Sequence, residues 1–352
     1  MRISALILLA LISANSAVAG PIKIGVIAPL TGPVASWGTD TQRALTLANE
    51  SFGAGRFEFI FEDGQCLGKE AAAAAQKLVS VDKVHFGMVV CTEEMQASAP
   101  IFDRGKVTVV APGATAASIS GISPYVFRTW PSDAFGAQLI TKYIKGKHSK
   151  VGVFSEGRGL PQEFAKAFTA AAEAQGIGVI NENYFGSDRE FKSALLRLSR
   201  KGIEGLLVNS DSESTFVNVL KQLRELKISL PLYGNMVGSS QAFRSLAGEL
   251  ANNVVYYDVP VLSQKGQDSE LLTEFEKRFG APNSAIFMVA SAISSFRAIV
   301  DASKSPTDPR SVLLTNEFES AIGKFRFDKN GDVVGVLPSL KTIKDGKVVE
   351  IN

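Results

Sequence analysis

Two kinds of stretch alternate along residues 20–260. Short apolar runs rich in Val, Ile and Phe are separated by longer amphipathic or alanine-rich stretches. The runs at Ile22–Ala28, 57–62, 84–90 and 107–111 predict strands, with helices over 35–50, 69–79 and 93–103 between them. Runs of Val and Ile without polar alternation suit parallel strands covered on both faces. A second set follows. Helices are predicted over 133–145, 162–175, 189–201, 214–226 and, shorter, 239–246; strands over 150–154, Gly178–Tyr184, Gly205–Asn209, 231–233 and 253–259. Helices over 269–279 and 284–303 come next, the latter so uniformly small and apolar that it belongs in a core. The tail changes character: segments 324–328 and 333–341 flank Asn330-Gly331, a hairpin signal. Repeated strand–helix units build right-handed βαβ crossovers. The fold class is therefore α/β, with two Rossmann-like lobes. Ligands on such sheets bind beyond the carboxyl ends of the strands, which makes the cleft between the lobes the expected site.

The first residues read as an address. Arg2 precedes an apolar run at 3–12, and Ala17, Val18 and Ala19 form an A-x-A cleavage site before Gly20. The run is shorter than the roughly 20 residues that span a bilayer. Residues 1–19 are thus expected to be a signal peptide, without a lipid-anchor cysteine, and the mature chain to be periplasmic. Export bears on Cys66 and Cys91, the only two cysteines. In an oxidising compartment such a pair is expected to bond. Both stand just past strand ends, where they can lie side by side, and no C-x-x-C suggests a redox pair.

Composition narrows the chemistry. At 352 residues the chain is long enough for two domains, and 45% apolar with 20% charged residues excludes disordered and fibrous classes. A net charge of +2 supplies no field for nucleic acid. Two histidines and two cysteines are too few for the common zinc sites, so neither metal nor cofactor is expected. His148, within Lys145–Lys150, is expected in a solvated loop, and His85 in a core or edge position. Segment 328–332 resembles the start of a calcium loop, but Leu337 stands where the bidentate Glu is required. No P-loop, G-x-G-x-x-G or G-x-S-x-G occurs.

Residues 24–38 (IGVIAPLTGPVASWG), residues 109–115 (VVAPGAT) and the cysteine pair together resemble the periplasmic branched-chain amino acid binding proteins, the type I solute receptors of ABC importers. The resemblance covers essentially the whole mature chain. It implies two lobes joined by three crossings: residues 20–131 plus 260–331, and 132–259 plus 332–352. It also implies an ABC permease and ATPase as partners, a monomer, and no enzymatic activity. A sensor feeding a regulator and a secreted enzyme on the same fold are the alternatives. In this family a ligand carboxylate is held by hydroxyls and backbone N–H groups of two loops, which here places Thr92, Gly113, Ala114 and Thr115 in the site. Such donors suit an anion; Thr92 and Thr115 also read as ordinary helix caps.

The rest of the pocket departs from the family pattern. Met236 stands where an acid normally holds the ligand ammonium, and Asp211 or Glu213 is near enough in sequence to compensate. Trp37, Leu160 and Ala290 stand where Tyr is common. Two readings follow. Either the ligand is still an amino acid, or the pocket is wider and more apolar and takes a carboxylate without an amine, since a lone buried ammonium is costly.

Overall fold

A computed structural model describes residues 20–261, 268–305 and 307–351 of the chain; the expected signal peptide lies outside them. The first sheet contains β1 (Ile22–Ala28), β2 (Phe57–Asp63), β3 (Phe86–Val89), β4 (Thr108–Ala111) and β5 (Val126–Arg128), all parallel, in the order β2-β1-β3-β4-β5. Helices α1 (Ala35–Ala48), α2 (Gly68–Lys77) and α3 (Thr92–Gly105) connect them. β1 pairs from Ile22↔Phe57 to Ala28↔Asp63 on one side and with β3 on the other. Its Ile24, Val26 and Ile27 are fully buried, as covered parallel strands require.

The second lobe repeats the plan. Its helices are α4 (Asp133–Ile144), α5 (Gly159–Glu173), α6 (Lys192–Ser199), α7 (Glu213–Glu225) and α8 (Gln241–Ala247); its strands are β6 (Lys150–Glu156), β7 (Gly178–Tyr184), β8 (Gly205–Asn209), β9 (Leu232–Gly234) and β10 (Val255–Asp258). The order β7-β6-β8-β9-β10 is that of the first sheet, and it too is parallel. In both sheets the strand order reverses beside the first strand, the switch point at which such folds open a crevice.

The remainder of the chain closes the lobes. α9 (Glu270–Phe279) and α11 (Pro309–Thr315) flank α10 (Ile286–Ala302), which is buried nearly all round, as its composition predicts. β11 (Phe318–Ser320), β12 (Gly323–Phe327) and β13 (Val333–Val334) form a small antiparallel sheet, while β14 (Ser339–Lys344) and β15 (Lys347–Ile351) extend the second sheet beyond β10.

The strand predicted over 333–341 is therefore two strands in different sheets. Gly335 at φ +102 turns the chain between them, and Pro338 offers no N–H to a ladder. The Asn330-Gly331 turn forms as expected, with Gly331 at φ +81 and Asp328 Oδ1 accepting from the N–H groups of Asn330 and Asp332. It docks against β5: Asp332 pairs with the buried Arg128 at 2.6 Å. His148 is not in a solvated loop. It is half-buried, with its Nε2 2.6 Å from the Tyr233 hydroxyl. His85 takes neither a core nor an edge position: it is exposed just before β3, an interior strand between β1 and β4, where its Nδ1 accepts the Lys23 N–H.

Candidate functional site

The loops at the carboxyl ends of the strands converge on a cavity of about 50 Å³ between the lobes. From the first lobe, Val34 and Trp37 follow β1, Cys66 follows β2, Cys91, Thr92 and Glu93 follow β3, and Gly113 follows β4. From the second, Gly159 and Leu160 follow β6, Asp211 follows β8, and Met236 and Val237 follow β9. Met288 of α10 completes the wall. The cavity is small beside the roughly 300 Å³ of ordinary ligand pockets, so the lobes stand close together.

Local chemistry places each group. Gly38 lets α1 start directly on the loop after β1: a Cβ there would meet the Pro29 carbonyl oxygen at 2.1 Å. That packing sets the preceding Trp37, which is 6% exposed. Cys66 and Cys91 form the expected disulfide, with Cα atoms 5.3 Å apart, inside the usual range. Glu94 fastens the same corner. It is fully buried, and its two oxygens accept the N–H groups of Cys66 and Cys91, each at 3.0 Å. Burial pushes its carboxyl up to about 7, against the pull of those two bonds.

Thr92 opens α3, whose first-turn N–H groups have no partner within the helix. Its hydroxyl oxygen accepts the Ala116 N–H at 3.3 Å, which leaves the hydroxyl proton free to donate. At Gly113 a Cβ would lie 2.6 Å from the Val90 carbonyl oxygen and 2.8 Å from Met288 Cε, so the turn after β4 has no room for a side chain. Ser291 of α10 holds this turn by donating to the Pro112 carbonyl at 2.8 Å. Ala114 and Thr115 are fully buried and do not border the cavity. The Thr115 hydroxyl donates to Asp133 Oδ2 at 2.7 Å, so its one proton is already used. Ala290 is likewise buried within the core of α10, away from the cavity.

Charge gathers at one side of the cavity. Arg158 bridges Glu156 at 2.9 Å and, across the lobes, Glu93 at 3.4 Å. Asp211, on the wall beside them, has its carboxyl pushed well above the ordinary range, by desolvation first and then by Glu156, with Arg158 opposing. Three acids thus face one guanidinium. Glu213, the other acid considered, is committed elsewhere: the Trp37 indole N–H donates to its Oε1 at 3.1 Å across the lobes.

Of the residues singled out in the sequence, the fold brings Trp37, Thr92, Gly113, Leu160, Asp211 and Met236 around one cavity. Sequence reasoning missed Val34, Val90, Glu93, Arg158, Val237 and Met288. Their only signal was position just after a strand, or, for Met288, membership of the buried helix.

The family model described as periplasmic binding protein matches residues 21–341. The leucine-, isoleucine-, valine-, threonine- and alanine-binding protein of Pseudomonas aeruginosa is 25% identical, over 94% of this chain and 92% of its own. The leucine binding protein LivK of Thermotoga maritima superposes with a TM-score of 0.85 at 18% identity, over 94% of this chain and 98% of that one. A solute binding protein of an ABC transporter from R. palustris, in complex with benzoate, superposes with a TM-score of 0.83 at 19% identity, over 94% and 96%. These two structures establish the likeness of fold, and the near-complete match to the family model carries the assignment. The chain belongs to the periplasmic binding protein family, in the branch that holds the Leu/Ile/Val-binding proteins.

Proposed function

We propose that this chain is the periplasmic solute receptor of an ABC importer, and that its solute is an amino acid with an apolar side chain. It acts by binding alone, as a monomer, and presents the closed form to a permease and its ATPase. Lobe closure around a ligand is the known behaviour of periplasmic binding proteins as a class. Residues 1–19 direct export. One lobe comprises 20–131 plus 260 to about 335, because Asp332 pairs with Arg128 and Val333 with Phe327. The other comprises 132–259 plus the tail from β14 onward. On this reading the third crossing is the link 335–338 between β13 and β14.

The observation that carries the solute class is Asp211. A carboxyl on a largely apolar wall that it shares with Glu93, beside acids that outnumber their one arginine, suits an ammonium. The Thr92 hydroxyl and the N-terminus of α3 suit the carboxylate. Trp37, Leu160, Met236 and Met288 suit an apolar side chain. The amino acids named for the P. aeruginosa relative have such chemistry. A second reading, an acid without an amine, is supported by Met236 in the wall and by the benzoate complex of the R. palustris neighbour.

Calorimetry with L-leucine and 4-methylpentanoate, which differ only by the amine, separates the two. L-Leucine is expected to bind more tightly. Asp211→Asn is expected to cost about 2–5 kcal/mol for leucine and little for the deaminated acid. Equal or tighter binding of 4-methylpentanoate or benzoate, indifferent to Asp211→Asn, refutes the amino acid reading. Recovery of the solute unchanged after incubation checks that binding is not catalysis.

A further inference from the structure

The cross-lobe bond between Trp37 and Glu213 has a use that solute contacts do not explain. Glu213 opens α7 in the second lobe and is 4% exposed; Trp37 sits on α1 in the first and is 6% exposed. The indole N–H donates to Glu213 Oε1 at 3.1 Å. Glu213 is not part of the cavity wall, whereas Trp37 is. One end of the Trp37 ring is packed on the chain crossing, 6.1 Å from the Trp130 ring, which in turn meets Phe287 edge-on at 4.9 Å. Burying an indole N–H without an acceptor is costly, so closing the lobes over Trp37 is more favourable with an acceptor in place. Glu213 is that acceptor, and as the first residue of its helix its charge is favourably placed at the N-terminus.

A second set of cross-lobe bonds runs along the same seam. The N–H of Ala242 donates to the Asn283 carbonyl at 3.0 Å and that of Gln241 to the Ser284 carbonyl at 3.4 Å. Ser284 is in turn held by Asp40, whose Oδ2 accepts both its N–H and its hydroxyl at 2.8 Å. Asp40 lies one turn along α1 from Trp37. One face of α1 therefore carries both fastenings.

We propose that Glu213 is a positioning residue for solute binding. It aims the Trp37 ring as the apolar wall and latches the lobes, and so sets how long the solute stays, without touching it. This rests on the receptor reading above.

The chain has only two tryptophans, Trp37 and Trp130, and the Trp130 indole N–H has no hydrogen-bond partner among the described residues, so the two indole signals in a nitrogen-15 spectrum differ in environment. Assignment follows from Trp37→Phe. The spectrum and the dissociation rates of L-leucine and benzoate are measured for wild type, Trp37→Phe, Glu213→Leu, the double variant and Glu213→Gln. Glu213→Leu is expected to shift the Trp37 indole proton and speed its exchange. Each single variant is expected to raise the dissociation rate roughly tenfold, the worth of one net hydrogen bond to a charged group. The double variant is expected to do no worse than either, and Glu213→Gln, which keeps an acceptor, to stay near wild type. Fully additive losses, a change confined to the association rate, or an unmoved Trp37 signal overturn the proposal. If neither probe nor any other small carboxylate binds wild type, the receptor reading fails, and the indole comparison alone decides the pair.

Discussion

Glu94 makes stability fall as pH rises through neutrality, and the amount follows from its surroundings. The carboxyl is fully buried behind the Cys66–Cys91 corner, and burial raises it from the ordinary 4.5 to about 7, with Asp63 and Glu93 adding smaller repulsions and two N–H bonds opposing. Between those two values the folded protein keeps a proton that the unfolded chain has released. The slope of stability against pH is then negative. The contribution is full below about 4.5 and is lost as pH passes 7. Holding that proton from about 4.5 to about 7, at roughly 1.36 kcal/mol per tenfold change in proton concentration, amounts to about 3 kcal/mol. The assay is denaturant unfolding from pH 4.5 to 8.5 with the disulfide intact, for wild type and Glu94→Gln. The amide cannot titrate, so the wild-type curve is expected to drop by about 3 kcal/mol relative to the variant across that range. Any cost of turning the amide NH₂ toward a backbone N–H is constant with pH and cancels from the slope. A difference flat to within ~0.5 kcal/mol, the usual scatter of independent effects, refutes the reasoning.

Two further outcomes are expected. Gly113→Ala puts a methyl against the Val90 carbonyl, which cannot yield, and Met288, which can; stability is expected to fall by about 1–3 kcal/mol, and wild-type solute affinity by calorimetry would show that the turn does not border the site. Thiol titration of the denatured, unreduced chain is expected to find no free thiol; reducing the bridge, which closes a separation of 25 residues, is expected to cost roughly 3–4 kcal/mol and, because both cysteines line the cavity, to weaken solute binding as well.

Some of this protein was set by local patterning. Ile22–Ala28 and Gly205–Asn209 are strands because their apolar residues, interrupted only by Lys23 and ended by Asn209, do not alternate with polar ones and so fit a parallel sheet covered on both faces. The uniformly apolar character of α10 required burial, and Asn330-Gly331 required a hairpin, because Gly331 tolerates φ +81. Signals were also present but unread. Asp308 capping Ser311 before Pro309 starts α11, and Asp345-Gly346 turns β14 into β15. β5 at three residues is too short to show any period. The convergence of Thr92, Gly113, Leu160, Asp211 and Met236 followed from strand ends and family motifs, since every such loop opens at the same edge of its sheet. What only the tertiary structure decided is which groups were still free when they met. Thr115 and Thr92 are alike in sequence, yet one spends its proton on Asp133 while the other keeps its own. Asp211 and Glu213 are two residues apart, yet one faces the cavity and the other holds Trp37 from the opposite lobe. A hydrogen bond between residues 176 positions apart depends on how two lobes close, and no local pattern encodes that distance.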